Sequence, residues 1–229
     1  MLSVNESRGL VLVVEDEPAI AESLGMFLRR EGFGVQIEND GLLALAAIRK
    51  VHPVAVLLDI GLPSMDGIAL CKELRAGGDW TPIIFLTARD DEIDKILGLE
   101  IGADDYIVKN ATKHQVMARL KAVLRRSSGM PLGTGALTIG DITVNPETRV
   151  ATVNETPVAL TATEFDLLAF LMSKPGRVFS RDELISHVWG YASMGTRTVD
   201  VHVAQLRAKF GQADPIRTVR GVGYAVDKA

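Results

Sequence analysis

Acidic side chains stand at the ends of two apolar segments near the start of the chain. Glu15 and Asp16 directly follow the run Leu10–Val14, and Asp59 directly follows the run Val54–Leu58. Three carboxylates brought together would repel one another unless a cation lay between them. Mg²⁺ prefers oxygen ligands and keeps several waters, so two or three carboxylates suit it. The spacing therefore predicts a magnesium site, provided that both runs are strands of one parallel sheet.

A hydroxyl and an ammonium group follow two further apolar segments. Thr87 comes after Ile83–Leu86, and Lys109 comes after Tyr106–Val108. Beside a metal ion, these groups would complete a site for a phosphoryl group, whose transfer depends on positioning and charge neutralisation. Each residue alone has a plainer explanation, because such side chains commonly cap helices or form turns after strands. Their shared position at successive strand ends favours the site.

Strand and helix patterns alternate over the first 126 residues. Apolar runs occupy Leu10–Val14, Val35–Ile37, Val54–Leu58, Ile83–Leu86 and Tyr106–Val108, and amphipathic stretches include Ala19–Arg30, Gly67–Arg75 and 113–126. This alternation predicts an α/β fold, a five-stranded doubly wound parallel sheet with helices on both faces. Ligands of such sheets bind at the carboxyl ends of the strands.

A different pattern follows a Gly-rich stretch, 127–135, which has the composition of a linker. We predict strands over 137–144, 149–153 and 156–159, turns at Asn145-Pro146 and Asn154-Glu155, helices that begin at the capping boxes Thr161–Glu164 and Ser180–Glu183, a third helix over 197–210, and a hairpin of Ile216–Val219 and Tyr224–Val226. Three helices followed by a hairpin predict an α+β winged helix-turn-helix domain.

Composition excludes several classes of protein. Hydrophobic residues make up 47% and charged residues 24% of the chain, values typical of a folded globular protein. The apolar runs are far shorter than the roughly 18 residues of a membrane helix, and no basic-then-apolar leader opens the sequence, so we expect neither membrane insertion nor secretion. The single cysteine, Cys71, excludes a disulfide framework and fits a reducing cytoplasm.

Charge is distributed unevenly along the chain. The acidic excess that gives the net charge of −4 lies within residues 1–126, whereas 195–223 contains five basic and two acidic residues. This distribution is compatible with a cation site followed by a site for a polyanion.

The motifs together resemble those of a known family. The matching segments are Glu15-Asp16, Asp-Ile-Gly-Leu-Pro-Ser-Met-Asp-Gly at 59–67, Thr87-Ala88, Gly-Ala-Asp-Asp-Tyr-Ile-Val-Lys at 102–109, Arg-Thr-Val-Asp-Val-His at 197–202 and Thr-Val-Arg-Gly-Val-Gly-Tyr at 218–224. With them, the first half resembles a response-regulator receiver domain of flavodoxin-like fold. The whole chain resembles the OmpR/PhoB class of winged-helix transcription factors. The resemblance implies a receiver domain at 8–126, a linker at 127–135 and a DNA-binding domain at 136–229.

The resemblance also implies a phosphorylation site. Asp59 would accept a phosphoryl group from a sensor histidine kinase, and Thr87 and Lys109 would contact its oxygens. The Mg²⁺ ligands would be Glu15, Asp16, Asp59 and the backbone carbonyl of Gly61. None of the four histidines lies near the predicted site, so the donor histidine is expected on another protein.

Tyr106 would be the switch aromatic of the family, turning inward when the Thr87 hydroxyl moves toward the phosphoryl group. The plainer explanation is that Tyr106 is a half-buried strand residue with a hydrated hydroxyl, and this position is compatible with the switch role.

Active receivers of this family form homodimers through their fourth helix, fifth strand and fifth helix. On this face we expect pairing across a twofold axis by Lys95, Glu100, Asp104, Asp105, Arg119 and Arg126. Gln115 stands where the family often has an acid, so one ion pair is expected to be missing. The alternative is a solvated helix face, because exposed ion pairs contribute only about 0–1 kcal/mol.

The resemblance assigns double-stranded DNA to the C-terminal domain. We expect the helix 197–210 to enter the major groove and to contact DNA through Arg197, Thr198, His202, Gln205, Arg207 and Lys209. Arg220, in the hairpin turn with Gly221 and Gly223, is expected to probe the minor groove. Simple solvent exposure is the alternative for a mixed polar helix face. His202 is expected to pack or to touch a phosphate and not to bind a metal. In the family the segment 188–196 can contact RNA polymerase, although a core position is favoured for Trp189 and Tyr191.

Two rival functions remain open on sequence alone. One is a Mg²⁺-dependent phosphatase with an aspartyl intermediate, but such enzymes need a second Asp where this chain has Gly61. The other is a regulator that binds DNA without phosphorylation. Asn110 supports it, because the family usually has a cis proline after the lysine, and a trans peptide there is expected to aim Lys109 less well. Gly61, in place of a bulkier residue, is expected to leave the phosphoryl group open to water.

Overall fold

The first half of the chain is built on a parallel sheet whose strands are the predicted apolar segments. The computed structural model describes residues 8–87, 101–127, 135–190 and 197–227, with 125–127 described by their backbone alone. The strands are β1 (Leu10–Val14), β2 (Gly34–Glu38), β3 (Ala55–Asp59), β4 (Ile83–Thr87) and β5 (Asp105–Val108). They pair in parallel in the order β2-β1-β3-β4-β5. The predicted five-stranded sheet is confirmed.

Helices cover both faces of this sheet. They are α1 (Pro18–Arg30), α2 (Gly41–Val51), α3 (Gly67–Ala76) and α4 (Lys113–Ser127). Side chains of α2 and α3 share one buried cluster with Leu58 and Phe85 of β3 and β4. Side chains of α1 and α4 surround Leu86 and Ile107, which point to the opposite face. Helix α2 was not predicted from the sequence. Asp40 caps its start by accepting hydrogen bonds from two backbone N–H groups.

The second half begins with a four-stranded antiparallel sheet. Its strands are β6 (Leu137–Ile139), β7 (Ile142–Asn145), β8 (Val150–Val153) and β9 (Thr156–Val158), paired in chain order. The prediction of one strand over 137–144 is wrong, because Gly140 adopts a left-handed φ of 57° and turns the chain into a hairpin. The predicted turn at Asn154-Glu155 is confirmed, with positive φ at both residues.

Three helices and a small sheet complete the second half. The helices are α5 (Ala162–Met172), α6 (Arg181–Leu184), which continues as a π-helix over Ile185–Trp189, and α7 (Arg197–Phe210). Both predicted capping boxes are present. The predicted hairpin is formed by β11 (Ile216–Val219) and β12 (Gly223–Val226), and β10 (Phe179–Ser180) adds an unpredicted third strand beside β12. Trp189 is fully buried, and Tyr191 lies outside the described residues.

The chain divides into two units, Met1–Leu120 and Lys121–Ala229. This division falls inside α4, a few residues before the predicted domain limit. Most of the predicted linker, 127–135, lies outside the described residues, and the predicted limits stay predictions. Among the helices of the described segments, none is both long and apolar enough to cross a membrane.

Candidate functional site

Three carboxylates meet at the carboxyl end of the parallel sheet. Glu15 and Asp16 follow β1, Asp59 ends β3, and these two strands are neighbours. One carboxylate oxygen of each residue lies within 4.8 Å of those of the other two. Glu15 and Asp59 are buried, whereas Asp16 is exposed. The structure thus brings together the three side chains predicted as metal ligands.

The chemistry of this cluster fits a hard cation. Oε2 of Glu15 is buried and has no hydrogen-bond partner among the described residues, an uncommon state for a buried charged oxygen. Burial raises the pKa of Glu15, and the nearby charge of Asp59 adds to the rise. A cation bound by oxygens would satisfy the orphaned atom and favour the ionised carboxylate. These residues could therefore hold Mg²⁺.

Lys109 reaches into the acidic cluster from the end of β5. Its Nζ lies 2.7 Å from Oε1 of Glu15, 3.0 Å from Oδ2 of Asp59 and 3.3 Å from Oε1 of Glu17. Burial alone favours the neutral amine, but the hydrogen bonds to Glu15 and Asp59 outweigh it and raise the pKa of Lys109. The site therefore contains a fixed positive charge directly beside the Asp59 carboxylate.

The remaining predicted site residues lie around Asp59. Thr87 is buried at the end of β4, and its carbonyl accepts from the backbone N–H of Lys109 at 2.8 Å. Oδ1 of Asp59 accepts from the backbone N–H of Ile60 at 2.8 Å, which fixes the orientation of the carboxylate. A Cβ at Gly61 would lie 3.9 Å from Oδ2 of Asp59, so this glycine leaves one side of the carboxylate uncovered.

The loop after Asp59 is held by close backbone contacts. A Cβ at Gly67 would lie only 2.1 Å from the carbonyl oxygen of Asp59, and the Gly67 N–H donates to the carbonyl of Ile60 at 2.9 Å. The hydroxyl of Ser64 donates to the carboxylate of Asp40, the residue that caps α2. The loop is therefore attached to the starts of both α2 and α3.

Two contacts of this site were not predicted from sequence. Glu17 bonds Lys109 although its side chain is 62% exposed, and Asp40 bonds Ser64 across 24 positions of the chain. The acidic run at 15–17 is a visible signal for the first contact. A contact between two polar side chains far apart in the sequence leaves no local signal.

Asn110 does not turn Lys109 away from the Asp59 carboxylate, and its expected effect on phosphorylation stays a prediction. The described residues contain no cis peptide bond, so the peptide between Lys109 and Asn110 is trans, as predicted. The ammonium group nevertheless lies within hydrogen-bond distance of Asp59. The N–H of Ala111 donates to the carbonyl of Val108 at 2.8 Å, which closes a short turn and holds the lysine in place.

Tyr106, the predicted switch residue, is half-buried in β5. The guanidinium of Arg119 lies 5.6 Å from the centre of its ring and donates to its backbone carbonyl at 2.9 Å. Arg119 also forms an ion pair of 3.1 Å with Asp105. Arg119 of α4 therefore joins this helix to β5, the strand that carries the predicted switch residue.

The predicted dimer face needs correction at two residues. Asp104 and Asp105 are fully buried, not exposed for pairing across a twofold axis. Asp104 accepts from the backbone N–H of Ile83 at 3.0 Å, and Asp105 pairs with Arg119. Buried carboxylates are kept where partners inside the protein compensate their desolvation. Three further groups predicted on the dimer face lie outside the described part of the chain: Lys95, Glu100 and the side chain of Arg126.

Two residues predicted to contact DNA lie in the core of the second unit. Thr198 and His202 of α7 are 4% and 1% exposed. The ring of His202 lies 5.4 Å from that of Trp189. Both side chains lie on the packed face of the helix, which is the packed position expected for His202 and counts against a direct DNA contact of the Thr198 side chain.

Charged residues in the last turns of α7 are bonded within the domain. Arg207 donates to Asp214 at 3.0 Å, to the carbonyl of Ile216 at 2.9 Å and to Thr218 at 2.8 Å. Lys209 pairs with the buried carboxylate of Glu164 at 2.5 Å. These bonds attach the helix to the β11 strand and to α5.

The exposed residues around α7 include predicted DNA contacts. Arg197 is exposed at the first position of the helix, Gln205 is partly exposed in its middle, and Arg220 is exposed in the turn of the hairpin. The neighbouring turn residue Val222 is 49% exposed. The helix and the hairpin turn thus present a surface of mixed basic, amide and apolar groups.

Comparison with known proteins identifies the family. Residues 11–121 match the family model "Response regulator receiver domain", and residues 155–226 match "Transcriptional regulatory protein, C terminal". The sensory transduction protein RegX3 of Mycolicibacterium smegmatis is 44% identical over 225 residues, covering 95% of this chain and 98% of the relative. The DNA-binding response regulator MtrA of the same organism is 45% identical over 223 residues, covering 95% of this chain and 96% of the relative.

Solved structures agree with this result. A mutant of RitR has a TM-score of 0.76 and 29% identity, covering 96% of this chain and 99% of that chain. The response regulator DrrB of Thermotoga maritima, an OmpR/PhoB homologue, has a TM-score of 0.51 and 26% identity, covering 95% of this chain and 98% of that chain. The chain therefore belongs to the OmpR/PhoB class of response regulators, two-component regulators with a receiver domain followed by a DNA-binding domain.

Proposed function

We propose that Asp59 is the phosphoryl acceptor of this response regulator and that a phosphohistidine of a sensor histidine kinase is the donor. The observation that carries the proposal is that the Asp59 carboxylate lies 3.0 Å from Nζ of Lys109 and beside the carboxylates of Glu15 and Asp16. An oxygen of Asp59 attacks phosphorus, the bond from phosphorus to the donor nitrogen breaks, and the imidazole leaves with the electron pair. Such a transfer needs positioning and charge neutralisation more than covalent help from the protein.

Each side chain around Asp59 has a defined part in this proposal. Glu15, Asp16, Asp59 and the carbonyl of Gly61 hold Mg²⁺, which when bound neutralises charge on the phosphoryl oxygens. Lys109 is already fixed beside Asp59 and stabilises the negative charge of the product. Thr87 offers its hydroxyl to a phosphoryl oxygen from the end of β4.

Phosphorylation then acts on the rest of the molecule through β5 and α4. We propose that Tyr106 moves inward as Thr87 engages the phosphoryl group, and that the Arg119 contact at Tyr106 and Asp105 rearranges with it. The active form is a homodimer that binds tandem DNA half-sites to regulate transcription. RNA polymerase is a further proposed partner, through the segment 188–196.

The regulator is proposed not to be a phosphatase. Phosphatases with an aspartyl intermediate use a second Asp two residues after the nucleophile, and this chain has Gly61 there. A regulator that functions without phosphorylation is disfavoured because Lys109 and the acidic cluster lie beside Asp59, the arrangement that the proposed acceptor needs.

The test is intact-protein mass spectrometry after incubation with acetyl phosphate and Mg²⁺. We expect one added phosphoryl group in the parent and in Asp141→Asn, a control that removes an exposed acid from the second unit. We expect none in Asp59→Asn. Labelling of Asp59→Asn at the parental rate would refute the acceptor, and rapid turnover of phosphate monoesters would indicate the phosphatase instead.

A further inference from the structure

The acceptor loop, residues 60–66 between β3 and α3, packs against the start of α2. The backbone N–H of Gly41 donates to the carbonyl of Pro63 at 3.2 Å. A Cβ at Gly41 would overlap the carbonyl oxygen of Met65, so the missing side chain permits this close approach. The loop that follows the acceptor is therefore in contact with an element that begins after a different strand, β2.

The two carboxylate oxygens of Asp40 have different partners. Oδ1 accepts from the backbone N–H groups of Leu42 at 2.8 Å and Leu43 at 3.2 Å, which caps α2. Oδ2 accepts from the hydroxyl of Ser64 in the acceptor loop. The Ser64 bond is also the main cause of the lowered pKa of Asp40, because a hydrogen bond to the charged form favours it. One oxygen thus serves the helix and the other serves the loop.

Ser64 has a backbone conformation that serine rarely adopts. Its φ is 61°, in the left-handed region that favours glycine. Residues other than glycine persist in this region where the surrounding structure holds them, and such positions concentrate at functional sites. A glycine would suit the backbone of this position better, but it would lack the hydroxyl that bonds Asp40.

We propose that Ser64 and Asp40 are positioning residues for the phosphorylation of Asp59, because their hydrogen bond holds the acceptor loop so that the backbone carbonyl of Gly61 can bind Mg²⁺. The proposal rests on the proposed function, in which that carbonyl is a metal ligand. Gly61 is exposed and has no side chain to restrict its backbone. A loop that is held before the metal binds loses less conformational entropy on binding, so loss of the bond weakens Mg²⁺ affinity.

The first test removes the hydroxyl by Ser64→Gly in the full chain. Because glycine suits the left-handed φ, we expect the midpoint of chemical denaturation to stay close to that of the parent. We expect the Mg²⁺ affinity, measured by isothermal titration without a phosphoryl donor, to fall about threefold, a factor typical of one hydrogen bond.

The second test removes the acceptor by Asp40→Ser. Serine caps helices about as well as aspartate, but it lacks the second oxygen that accepts from Ser64. We expect at least the loss of Mg²⁺ affinity seen in Ser64→Gly. Adding Ser64→Gly to Asp40→Ser is expected to have no further effect, because both substitutions remove the same bond.

Arg49→Ala is the matched control for these variants. Arg49, in the last turn of α2, bonds Glu73 of α3 at 3.0 Å in an exposed contact that also spans 24 positions of the chain. The variant removes a hydrogen bond of similar exposure at the other end of α2. It should bind Mg²⁺ with the affinity of the parent.

Labelling by acetyl phosphate separates positioning from a general loss of structure. In Ser64→Gly the Mg²⁺ concentration that gives half the maximal labelling rate should rise about threefold, with the maximal rate at saturating Mg²⁺ unchanged. A lower denaturation midpoint together with a lower maximal rate would show that the bond is merely structural and would overturn the proposal.

The remaining outcomes separate this inference from the proposed function. Failure of the parent to be labelled on Asp59 refutes the acceptor, and the Mg²⁺ titrations then decide whether the bond positions a metal ligand. Parental affinity in Ser64→Gly, or an equal loss of affinity in Arg49→Ala, overturns the positioning role. A further loss when Ser64→Gly is added to Asp40→Ser does the same, since the two residues then do not act through one bond.

Discussion

At the scale of single residues, Asp59 owes its chemistry to the charges fixed around it. Its carboxylate is buried, yet Lys109 lies 3.0 Å away and two more carboxylates stand nearby. A buried site of this kind strengthens electrostatic interactions, because less water screens them. The same arrangement makes each charge around Asp59 testable by a substitution that keeps size and removes charge.

Asp16→Asn is expected to weaken Mg²⁺ binding without unfolding the protein. Because Asp16 is exposed, replacing its carboxylate by an amide is expected to cost little stability. The asparagine no longer supplies a charged oxygen to the cluster. We expect the Mg²⁺ affinity to fall on the order of tenfold or more, since even mutation of residues that only hydrogen-bond to metal ligands lowers metal affinity by about that factor. Isothermal titration with Mg²⁺ measures the change.

Glu22→Gln is the matched control for that variant, because it removes an exposed acid of α1 outside the carboxylate cluster. It should bind Mg²⁺ as the parent does. Equal affinities of the parent and Asp16→Asn would show that the three carboxylates do not act as one site.

Sequence reasoning brought the predicted site residues together correctly because one geometric rule governs their positions. Parallel strands end at the same edge of a sheet, so Asp59, Thr87 and Lys109 had to lie near one another. The same reasoning failed for Asp104, since its burial depends on a contact with a residue distant in the chain. Polarity alone placed it on a surface, whereas a hydrogen bond from the backbone N–H of Ile83 permits its burial.

At the scale of elements, the start of α3 sets the position of the acceptor loop. Gly67→Ala is expected to destabilise the protein by about 1–3 kcal/mol, as overpacking usually does. The added Cβ would lie 2.1 Å from the carbonyl of Asp59, so the helix or the strand end must move. We also expect slower labelling by acetyl phosphate, because the residue that moves adjoins the acceptor.

Gly77→Ala provides the comparison at the other end of α3. Its Cβ would meet the carbonyl of Glu73 at 3.4 Å, an ordinary contact, and its φ of −78° suits alanine. Chemical denaturation and labelling rates should be close to parental for this variant. If the two alanine variants behave alike, close packing at Gly67 does not control the loop.

The hairpin and α7 are joined by Arg207, which was predicted from sequence to grip DNA. Its three hydrogen bonds to Asp214, Ile216 and Thr218 indicate instead that it positions the hairpin. Arg207→Lys keeps the charge but cannot reproduce this set of bonds, so we expect a loss of about 1–3 kcal/mol in unfolding free energy. DNA binding should weaken with little change in its salt dependence.

A phosphate contact would give the opposite result, with affinity largely retained in the lysine variant and the salt slope lowered by about one in Arg207→Ala. Arg217→Lys is the matched control, because Arg217 of β11 pairs with an exposed acid at the surface. Exposed pairs of this kind contribute only about 0–1 kcal/mol, so its unfolding should be nearly parental.

Most helices and strands could be predicted because the sequence patterns that specify them are local. Capping boxes and alternating apolar runs are local signals, and Thr161 and Ser180 begin helices where predicted. Strand β10 was missed because a strand of two residues is too short to show an alternating hydrophobic pattern. It forms where Gly223, which has no side chain, lets β12 lie close to the backbone of Phe179. Such pairings are set by tertiary contacts.

At the scale of the whole molecule, phosphorylation of one unit must alter DNA binding by the other. A dimer achieves this without a new DNA contact, because two linked DNA-binding domains engage tandem half-sites together. We expect phosphorylation to increase affinity for a tandem site on the order of 100-fold and to leave affinity for a single half-site nearly unchanged. Fluorescence anisotropy on the two DNA fragments measures both affinities, and analytical ultracentrifugation measures the dimer.

Asp59→Asn separates this mechanism from activation within one chain. After acetyl phosphate treatment this variant should stay monomeric. Its affinity for the tandem site should not show the increase that a dimer gains by binding both half-sites at once. The parent should become dimeric over the range of phosphorylation in which tandem binding strengthens. If phosphorylation instead raises affinity for a single half-site by the same factor, with the protein still monomeric, then the signal reaches α7 within the chain and dimerisation is not the switch.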